Sequence, residues 1–164
     1  MHYLFNEEIT EDSVNNLVEK LESADKEEKI NLWFGTNGGS SSSMGFLVNY
    51  FNSIKDRLAI TVTEKLLSAG TSILVDFEGK IILDLDDLDC ILFHGADRES
   101  YRFRKDSTYH DPKILSKQDK EYNINFAKKV KNKKLLTDKQ LKNLLKGRDV
   151  VVYKEQFKNW KLWS

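Results

Sequence analysis

The sequence predicts an α/β domain with a largely parallel sheet and helical crossovers. Its 164 residues match the commonest size of a single domain. Short apolar or alternating segments, typical of strands, take turns along the chain with segments of helical period. Because a helix between two strands carries the chain back across the sheet, this order favours parallel pairing. We expect a single domain over 1–164, with a variable loop and helix region at about 95–131.

In the first third of the chain, predicted strands alternate with predicted helices. The strands are Tyr3–Phe5 and Ile30–Phe34, and Thr10 is a suitable N-cap for the helix between them, because its hydroxyl can accept a hydrogen bond from the first turn. Each helix has one apolar stripe with which to pack on the sheet. The stripes are Val14, Leu17, Val18 and Leu21 in the first helix, and Met44, Leu47, Tyr50, Phe51 and Ile54 in the second.

The middle of the chain adds further strands and a helix. Alternation indicates a strand at Leu58–Thr63, and a helix is predicted to begin at Ser68. A hairpin-like turn around Glu78–Gly79 precedes a strand at Lys80–Leu83. The apolar segment Cys90–Phe93 is the next strand, so that the alternation of strand and helix continues.

The last third combines a polar segment, lysine-rich helices and an aromatic tail. The segment Gly95–Pro112 is the best candidate for a mobile loop or an assembly element. A helix at about Lys117–Lys131 and a second one after Thr137 follow, and Gly147 is expected to end the latter before a strand at Val150–Tyr153. Large aromatic side chains are costly to leave in water, so the tail is expected to dock on its own domain or on a neighbouring subunit. The aromatic residues of this tail are Phe157, Trp160 and Trp163.

Charge and composition restrict the compartment and the partners. The formal net charge is zero, although Lys128–Arg148 carries eight lysines and one arginine. Because no aromatic residues interleave with these lysines, we interpret them as a solvated helical face rather than a nucleic-acid site. The single cysteine, Cys90, excludes an internal disulfide and fits a reducing compartment. With neither a long apolar run nor a signal leader, a cytoplasmic protein without a membrane partner is expected.

Four aspartates lie close together before the strand at Cys90. Carboxylates in such a group could bind a hard cation. There is no glycine turn among them, however, and they alternate with Leu85 and Leu88, which is typical of a solvated edge of a strand and loop. We therefore predict no metal site at Asp84, Asp86, Asp87 and Asp89.

Ser68, His94 and a glycine loop supply the residue types that acyl transfer requires. A serine hydroxyl becomes an effective nucleophile when a base such as His94 takes its proton, since histidine titrates near neutral pH. The oxyanion formed on attack needs hydrogen-bond donors. The Ala69 amide at the predicted helix start is one candidate, and Gly38 or Gly39 permits the close approach of another. Taken singly, the three features are more often a helix cap, a strand-end histidine and a turn.

The order and spacing of these motifs resemble the Clp protease proteolytic subunit, within the Clp/crotonase-like superfamily. Thr36–Ser40 is similar to the family's Ser-Pro-Gly-Gly loop, and Leu67–Gly70 is similar to its Ala-Ser-Met-Gly nucleophile turn. Leu92–His94 resembles its Met-Ile-His. The 26 residues from Ser68 to His94 are close to the spacing that the family uses.

The resemblance implies a fold, an activity and a set of site residues. The fold would consist of repeated strand-strand-helix units around a mainly parallel sheet. The activity would be that of a serine peptidase that forms an acyl-enzyme on Ser68 with His94 as base. The amides of Gly39 and Ala69 would be the oxyanion donors, with no metal or cofactor. A peptide or protein substrate and assembly into a homo-oligomer would follow.

The chain departs from the family's pattern at three places. Asn37 replaces the loop proline, and Glu64–Leu67 is bulkier than the family's Gly-x-Ala-Ala. The acid that orients the histidine is expected just before residue 135, where this chain has Lys131–Lys134. Asp97 and Asp138 are possible substitutes, but the sequence assigns no third member. The alternative function is therefore a catalytically impaired Clp-like scaffold or binding protein.

Two further differences concern partners. The chain begins almost at its first strand, without the amino-terminal extension by which proteolytic members of the family meet their ATPase. The region between His94 and Leu135 is also shorter than the family's handle. On these grounds we expect neither an ATPase partner nor stacked double rings.

Overall fold

The structure, a computed structural model, describes residues 1–95 and 117–160, with the backbone alone for 117–119. It is an α/β fold with a six-stranded sheet of mostly parallel strands. Most of the predicted mobile segment Gly95–Pro112 lies outside the described residues.

The chain divides into two compact units. Unit 1 comprises Met1–Leu92 and Val151–Ser164, and unit 2 comprises Phe93–Val150. The expectation of a single domain over the whole chain stays a prediction.

Strands and helices alternate along the described chain. The strands are β1 (His2–Asn6), β2 (Ile30–Thr36), β3 (Leu58–Leu67), β4 (Lys80–Leu83), β5 (Cys90–Phe93) and β6 (Val150–Tyr153). The helices are α1 (Glu11–Glu22), α2 (Ser41–Ser53), the 3-10 turn η1 (Ser68–Thr71), α3 (Ser72–Asp76), α4 (Lys117–Asn132), α5 (Asp138–Leu145) and α6 (Lys154–Phe157). Among the described residues, no helix has the length and apolarity needed to cross a membrane.

The sheet has β3 at its centre. The strand order is β1-β2-β3-β5-β6, and β4 also pairs with β3. The pairs β1–β2, β2–β3, β3–β4 and β3–β5 are all parallel, which confirms the prediction of a mainly parallel sheet. The turn around Glu78–Gly79 joins α3 to β4 instead of two antiparallel strands. The hairpin-like interpretation of that turn is therefore wrong.

A bend at Glu64 divides β3 between two partner strands. Residues Ala59–Val62 pair with β4, and Lys65–Leu67 pair with β5. Glu64 has a left-handed φ of +51°, and the register between β2 and β3 shifts over the same stretch. The strand predicted at Leu58–Thr63 therefore continues through the bend, and its last residues lie beside β5.

A row of phenylalanines forms the centre of the unit 1 core. Phe5 and Phe34 stack on neighbouring strands, with ring centroids 4.9 Å apart. Phe51 from α2 contacts Phe34 edge-on at 6.4 Å and Phe77 at 6.1 Å. All four rings are buried, and aromatic pairs of this geometry stabilise a core beyond the area that they bury.

The first two helices follow the predicted pattern. Thr10 caps α1: its hydroxyl accepts from the Ser13 amide at 3.1 Å, and the Ser13 hydroxyl accepts from the Thr10 amide at 3.0 Å. This reciprocal pair is a capping box. Of the predicted stripes, Val18, Tyr50 and Ile54 are half-buried, and the other residues are buried: Val14, Leu17, Leu21, Met44, Leu47 and Phe51.

Unit 2 contains α4 and α5, both of which were predicted. Thr137 caps α5 through a second capping box, in which Gln140 is the partner. Gly147 has a φ of +71°, and its amide donates to the Leu144 carbonyl at 3.0 Å. The Arg148 amide donates to the Asn143 carbonyl at 3.0 Å, which completes a Schellman motif. The expectation that Gly147 ends this helix is confirmed.

The aromatic tail packs at least in part on its own chain. Phe157 in α6 is only 1% exposed, and its ring lies 6.1 Å from that of Trp160. Trp163 lies outside the described residues. For Phe157, docking on its own chain is therefore the observed arrangement.

Two glycine substitutions should change stability in opposite directions. Gly147→Ala should lower the free energy of unfolding by about 1 kcal/mol, because alanine is strained at a left-handed φ. Gly45 lies in the exposed part of α2, and a Cβ there meets nothing within 4 Å. Gly45→Ala should therefore raise the free energy of unfolding by about 0.5–1 kcal/mol. Urea denaturation measures both, and a Gly147→Ala variant as stable as wild type would contradict the assignment of the Schellman motif.

Candidate functional site

The three sequence motifs follow the carboxyl ends of parallel strands. The glycine loop follows β2, Ser68 follows β3, and His94 follows β5. In open α/β sheets, ligands bind outside the carboxyl ends of the strands. Within unit 1, Leu67 pairs with Leu92, so that Ser68 comes one residue after this pair on one strand and His94 two residues after it on the other.

Ser68 lies on a sharp turn from strand to helix. Leu67 is still extended, with φ −113° and ψ 148°, whereas Ser68 has a left-handed φ of +52°. For a residue with a side chain, this conformation costs roughly 1–2 kcal/mol. Such strain persists where the surroundings enforce it, and it concentrates at functional sites. A nucleophilic serine on a strained strand-to-helix turn has its hydroxyl exposed at the end of the sheet in α/β hydrolases.

The turn also shows that Ser68 is not a helix cap. The residue in the N-cap position of η1 is Leu67, and no side chain caps this turn. The α-helix itself begins only at Ser72, after a 3-10 turn, so the helix predicted from Ser68 starts as the tighter form. The Ser68 carbonyl accepts a hydrogen bond of 2.7 Å from the Thr71 hydroxyl, which fixes the turn.

The glycine loop packs directly against this turn. Gly38 has a φ of +92°, and a Cβ on it would lie 2.8 Å from the Ser68 Cβ and 2.9 Å from the Leu67 carbonyl oxygen. The same Cβ would be 3.4 Å from the Ala69 amide nitrogen. Only a glycine fits this approach without a shift of the turn. The structure therefore brings the predicted loop and the predicted serine together within unit 1.

The orientation of Gly39 is set by a bridge to Ile9. The Ile9 amide donates to the Gly38 carbonyl, and the Ser40 amide donates to the Ile9 carbonyl, both at 2.8 Å. Gly39 lies between the Gly38 carbonyl and the Ser40 amide, the two groups that bond to Ile9. In a parallel bridge of this kind, the amide of the middle residue points away from the partner strand. A Cβ on Gly39 would lie 2.3 Å from the Ile9 carbonyl oxygen, so a side chain is excluded here as well.

Thr36 joins the loop to the serine turn. Its hydroxyl donates to the Glu7 carbonyl at 2.7 Å and accepts from the Gly38 amide at 3.0 Å. Its methyl group packs against Gly70, where an added Cβ would lie 2.4 Å away. The glycine of the Ser-x-Gly motif therefore makes room for Thr36, and the two motifs hold each other in place.

The two predicted oxyanion donors belong to the serine turn and the glycine loop, which pack together in unit 1. Ala69 is in the first turn of η1, where backbone amides have no partner within the helix. The Gly39 amide belongs to the loop that packs on this turn. Their role as oxyanion donors stays a prediction.

His94 has a carboxylate partner in unit 2. Its Nδ1 atom lies 3.3 Å from a carboxylate oxygen of Asp149, with the imidazole 32% exposed and the carboxylate 64% exposed. Ser68 belongs to unit 1, so the expectation that Ser68 and His94 lie within hydrogen-bond reach of each other stays a prediction.

Asp149 was missed by the sequence analysis, and neither of the substitutes considered there is the observed partner. Asp138 lies in the first turn of α5, directly after the Thr137 cap, and Asp97 lies outside the described residues. A signal for Asp149 existed in the sequence: it is the acid between the helix end at Gly147 and the last strand. The sequence alone does not reveal that β6 lies next to β5 in the sheet.

The aspartates before β5 form a hydrogen-bonded turn. The Asp84 carboxylate accepts from the Asp86 amide at 3.1 Å, and the Asp87 carboxylate accepts from the Thr63 hydroxyl. In the part of the chain that the structure describes, no group of three or more histidine, cysteine or acidic side chains is placed to hold a metal ion.

No protein-family model matches the chain, and a search of curated proteins returns no match. The geometry of the two motifs in unit 1, the His94–Asp149 contact in unit 2 and the order of these residues along the chain are therefore the observations that bear on function.

The strain at Ser68 has a measurable consequence. Ser68→Gly should be more stable than Ser68→Ala by about 0.5–1 kcal/mol, because glycine adopts the left-handed φ without the steric penalty. Ser42 in α2 is the matched control, since glycine is less favourable than alanine in a helix by about 1 kcal/mol. The two sites should thus rank glycine and alanine in opposite orders by urea denaturation. Alanine at least as stable as glycine at position 68 would mean that Ser68 is unstrained.

Proposed function

We propose that this chain is a serine peptidase of the Clp/crotonase-like superfamily, with Ser68 as nucleophile and His94 as base. The observation that carries the proposal is the left-handed Ser68 on a strand-to-helix turn with Gly38 packed against it. An ordinary helix-capping serine is extended, and its side-chain hydroxyl accepts a hydrogen bond from a backbone amide of the next turn. Ser68 does neither, and its strained conformation is typical of a nucleophile.

The sheet supports the proposed superfamily. Its strands are mostly parallel, and β3 is followed by η1 and α3 and then by two strands that pair with its two halves. In the described chain, β4 and β5 before α4 match one of the strand-strand-helix units that the resemblance implies, whereas β1, β2 and β3 are each followed directly by a helix or helical turn. The positions of the three motifs after β2, β3 and β5 agree with the resemblance as well.

The proposed chemistry is acyl transfer in two steps. The Ser68 hydroxyl oxygen attacks the carbonyl carbon of a peptide bond, and its proton passes to His94 Nε2. The oxyanion accepts hydrogen bonds from the amides of Gly39 and Ala69. The C–N bond then breaks as His94 returns the proton to the leaving amine. Water, deprotonated by the same imidazole, then attacks the acyl carbon; the ester bond to Ser68 breaks, His94 returns the proton to the Ser68 oxygen, and the carboxylic acid leaves.

A fluorophosphonate probe tests the nucleophile. The probe should phosphonylate the wild-type chain at Ser68, as identified by peptide mass mapping, and Ser68→Ala should abolish the labelling. His94→Ala should slow it by roughly 10²–10⁴-fold, the usual contribution of a general base. Ser72→Ala is the matched control, because it removes a half-buried hydroxyl four residues further along the same turn and helix.

Labelling of the wild-type chain separates the peptidase from the scaffold, and the control shows that the labelling is specific to Ser68. Ser72→Ala should be labelled at the wild-type rate. If the folded wild-type chain takes up no probe across the pH range in which it is stable, the peptidase proposal is wrong, and the catalytically impaired scaffold becomes the better account.

We further propose that the chain assembles with copies of itself through an open face of the sheet in unit 1. The register places Leu4, Trp33, Thr61 and Ile82 in one row across four strands. Leu4 is 66% exposed and Ile82 is 42% exposed. The neighbouring row, on the opposite face, is buried and consists of Leu32, Ile60 and Ile81. Parallel sheets are almost always covered on both faces, which favours a subunit contact on the exposed one.

Sedimentation velocity at micromolar concentration tests the assembly. The wild-type chain should sediment as a species larger than its 19.1 kDa monomer, and Ile82→Lys should shift it toward the monomer, because a lysine in an apolar contact must be desolvated. Leu145→Lys is the matched control, since Leu145 is 43% exposed but lies on α5. A wild-type chain that is monomeric at every concentration would rule out the proposed assembly.

A further inference from the structure

We infer that Asp149 is a positioning residue for His94, in place of the acid that the chain lacks at Lys131–Lys134. This inference rests on the proposed function, because an orienting acid matters only where the imidazole moves a proton. It goes beyond that function, since it assigns the third member of the site to a different part of the chain.

The nitrogen that faces Asp149 is the one that an orienting acid must hold. His94 Nδ1 lies 3.3 Å from the Asp149 carboxylate, so Nε2 is the nitrogen left for proton transfer. A carboxylate that accepts from Nδ1–H holds the neutral ring in the tautomer whose Nε2 carries a lone pair. It also stabilises the imidazolium that forms when Nε2 takes a proton.

Both residues are fixed by their backbones within unit 2. Asp149 follows the Schellman motif of α5, in which the amide of its neighbour Arg148 donates to the Asn143 carbonyl, and it directly precedes β6. His94 precedes Gly95, where a Cβ would lie 2.6 Å from the side-chain oxygen of the buried Asn123. Backbone packing next to each residue thus fixes the positions from which the two side chains meet.

Because the His94–Asp149 pair is exposed, we infer that Asp149 orients the imidazole rather than stabilises the fold. With the carboxylate 64% exposed, its attraction to the imidazole is screened by water, and exposed ion pairs contribute little to folding. A hydrogen bond that fixes a tautomer needs only an acceptor at the right nitrogen. In the proposed reaction the Nδ1 proton stays on His94 and Asp149 stays ionised. The Ser68 proton moves to Nε2 and from there to the leaving amine.

The rate of fluorophosphonate labelling at Ser68 is the first measurement. Asp149→Asn should label about 10- to 1,000-fold more slowly than wild type, because an amide can donate to Nδ1 and favour the wrong tautomer. Asp149→Glu keeps the carboxylate and should recover part of that rate. Asp138→Asn is the matched control, which removes one carboxylate from the same unit and should label at the wild-type rate.

The ¹⁵N chemical shifts of the His94 ring are the second measurement, because a merely structural role would not change them in this way. The sequence has three histidines, and the His94 signals are those absent from His94→Gln. In wild type the neutral ring should be the Nδ1–H tautomer. In Asp149→Asn this preference should be lost, while thermal unfolding stays as in wild type.

The two measurements separate this inference from the proposed function. If the wild-type chain is not labelled at Ser68, the proposed function fails, and the tautomer alone decides whether Asp149 positions His94. If wild type is labelled but Asp149→Asn keeps its labelling rate or its tautomer, the positioning role is overturned and the peptidase proposal stands.

Discussion

Backbone hydrogen bonds on both sides of β3 hold β2 against one edge and β4 and β5 against the other. Parallel strands bring their carboxyl ends to one edge of a sheet, so the loop after β2 and the turn after β3 begin side by side. The bend in β3 is held by Glu64, whose two carboxylate oxygens accept from the Asn6 amide at 2.7 Å. Gly35 lets β2 pass this bend, where a Cβ would lie 2.9 Å from the Thr63 carbonyl oxygen.

Close packing of the glycine loop against the serine turn then enforces the strained backbone conformation of Ser68. Gly38 and Gly70 each lie where a Cβ would overlap an atom of the other motif, so neither the loop nor the turn can relax alone. The left-handed Ser68 costs roughly 1–2 kcal/mol of a stability that is typically 5–15 kcal/mol. A capping role would not require that cost, since a capping serine is extended. The strain at Ser68 thus supports the proposal that this residue is a nucleophile.

The elements were predictable because their signals are local, and the parts that were missed depend on long-range pairing. Hydrophobic period and capping residues located the six strands and most helices, including the ends set by Thr10 and Gly147. The bend at Glu64 was not predicted. It lies where the partner strand of β3 changes from β4 to β5, and a single sequence does not reveal which strands pair. Asp149 was missed for the same reason: its relation to His94 depends on β6 lying next to β5. The motif residues around Ser68 could be proposed because they follow strands closely in sequence.

An orienting acid can change its place in the chain because the imidazole responds to geometry rather than to sequence position. The requirement is an acceptor at hydrogen-bond distance from Nδ1, and triads on unrelated folds meet it in different chain orders. Here α5 ends at a Schellman motif, and the chain then enters β6 with Asp149 at the junction. That junction lies next to the strand from which His94 emerges. In the proposed peptidase, Asp149 therefore takes the place of the acid that the resemblance would put at Lys131–Lys134, and it reaches His94 along a different backbone path.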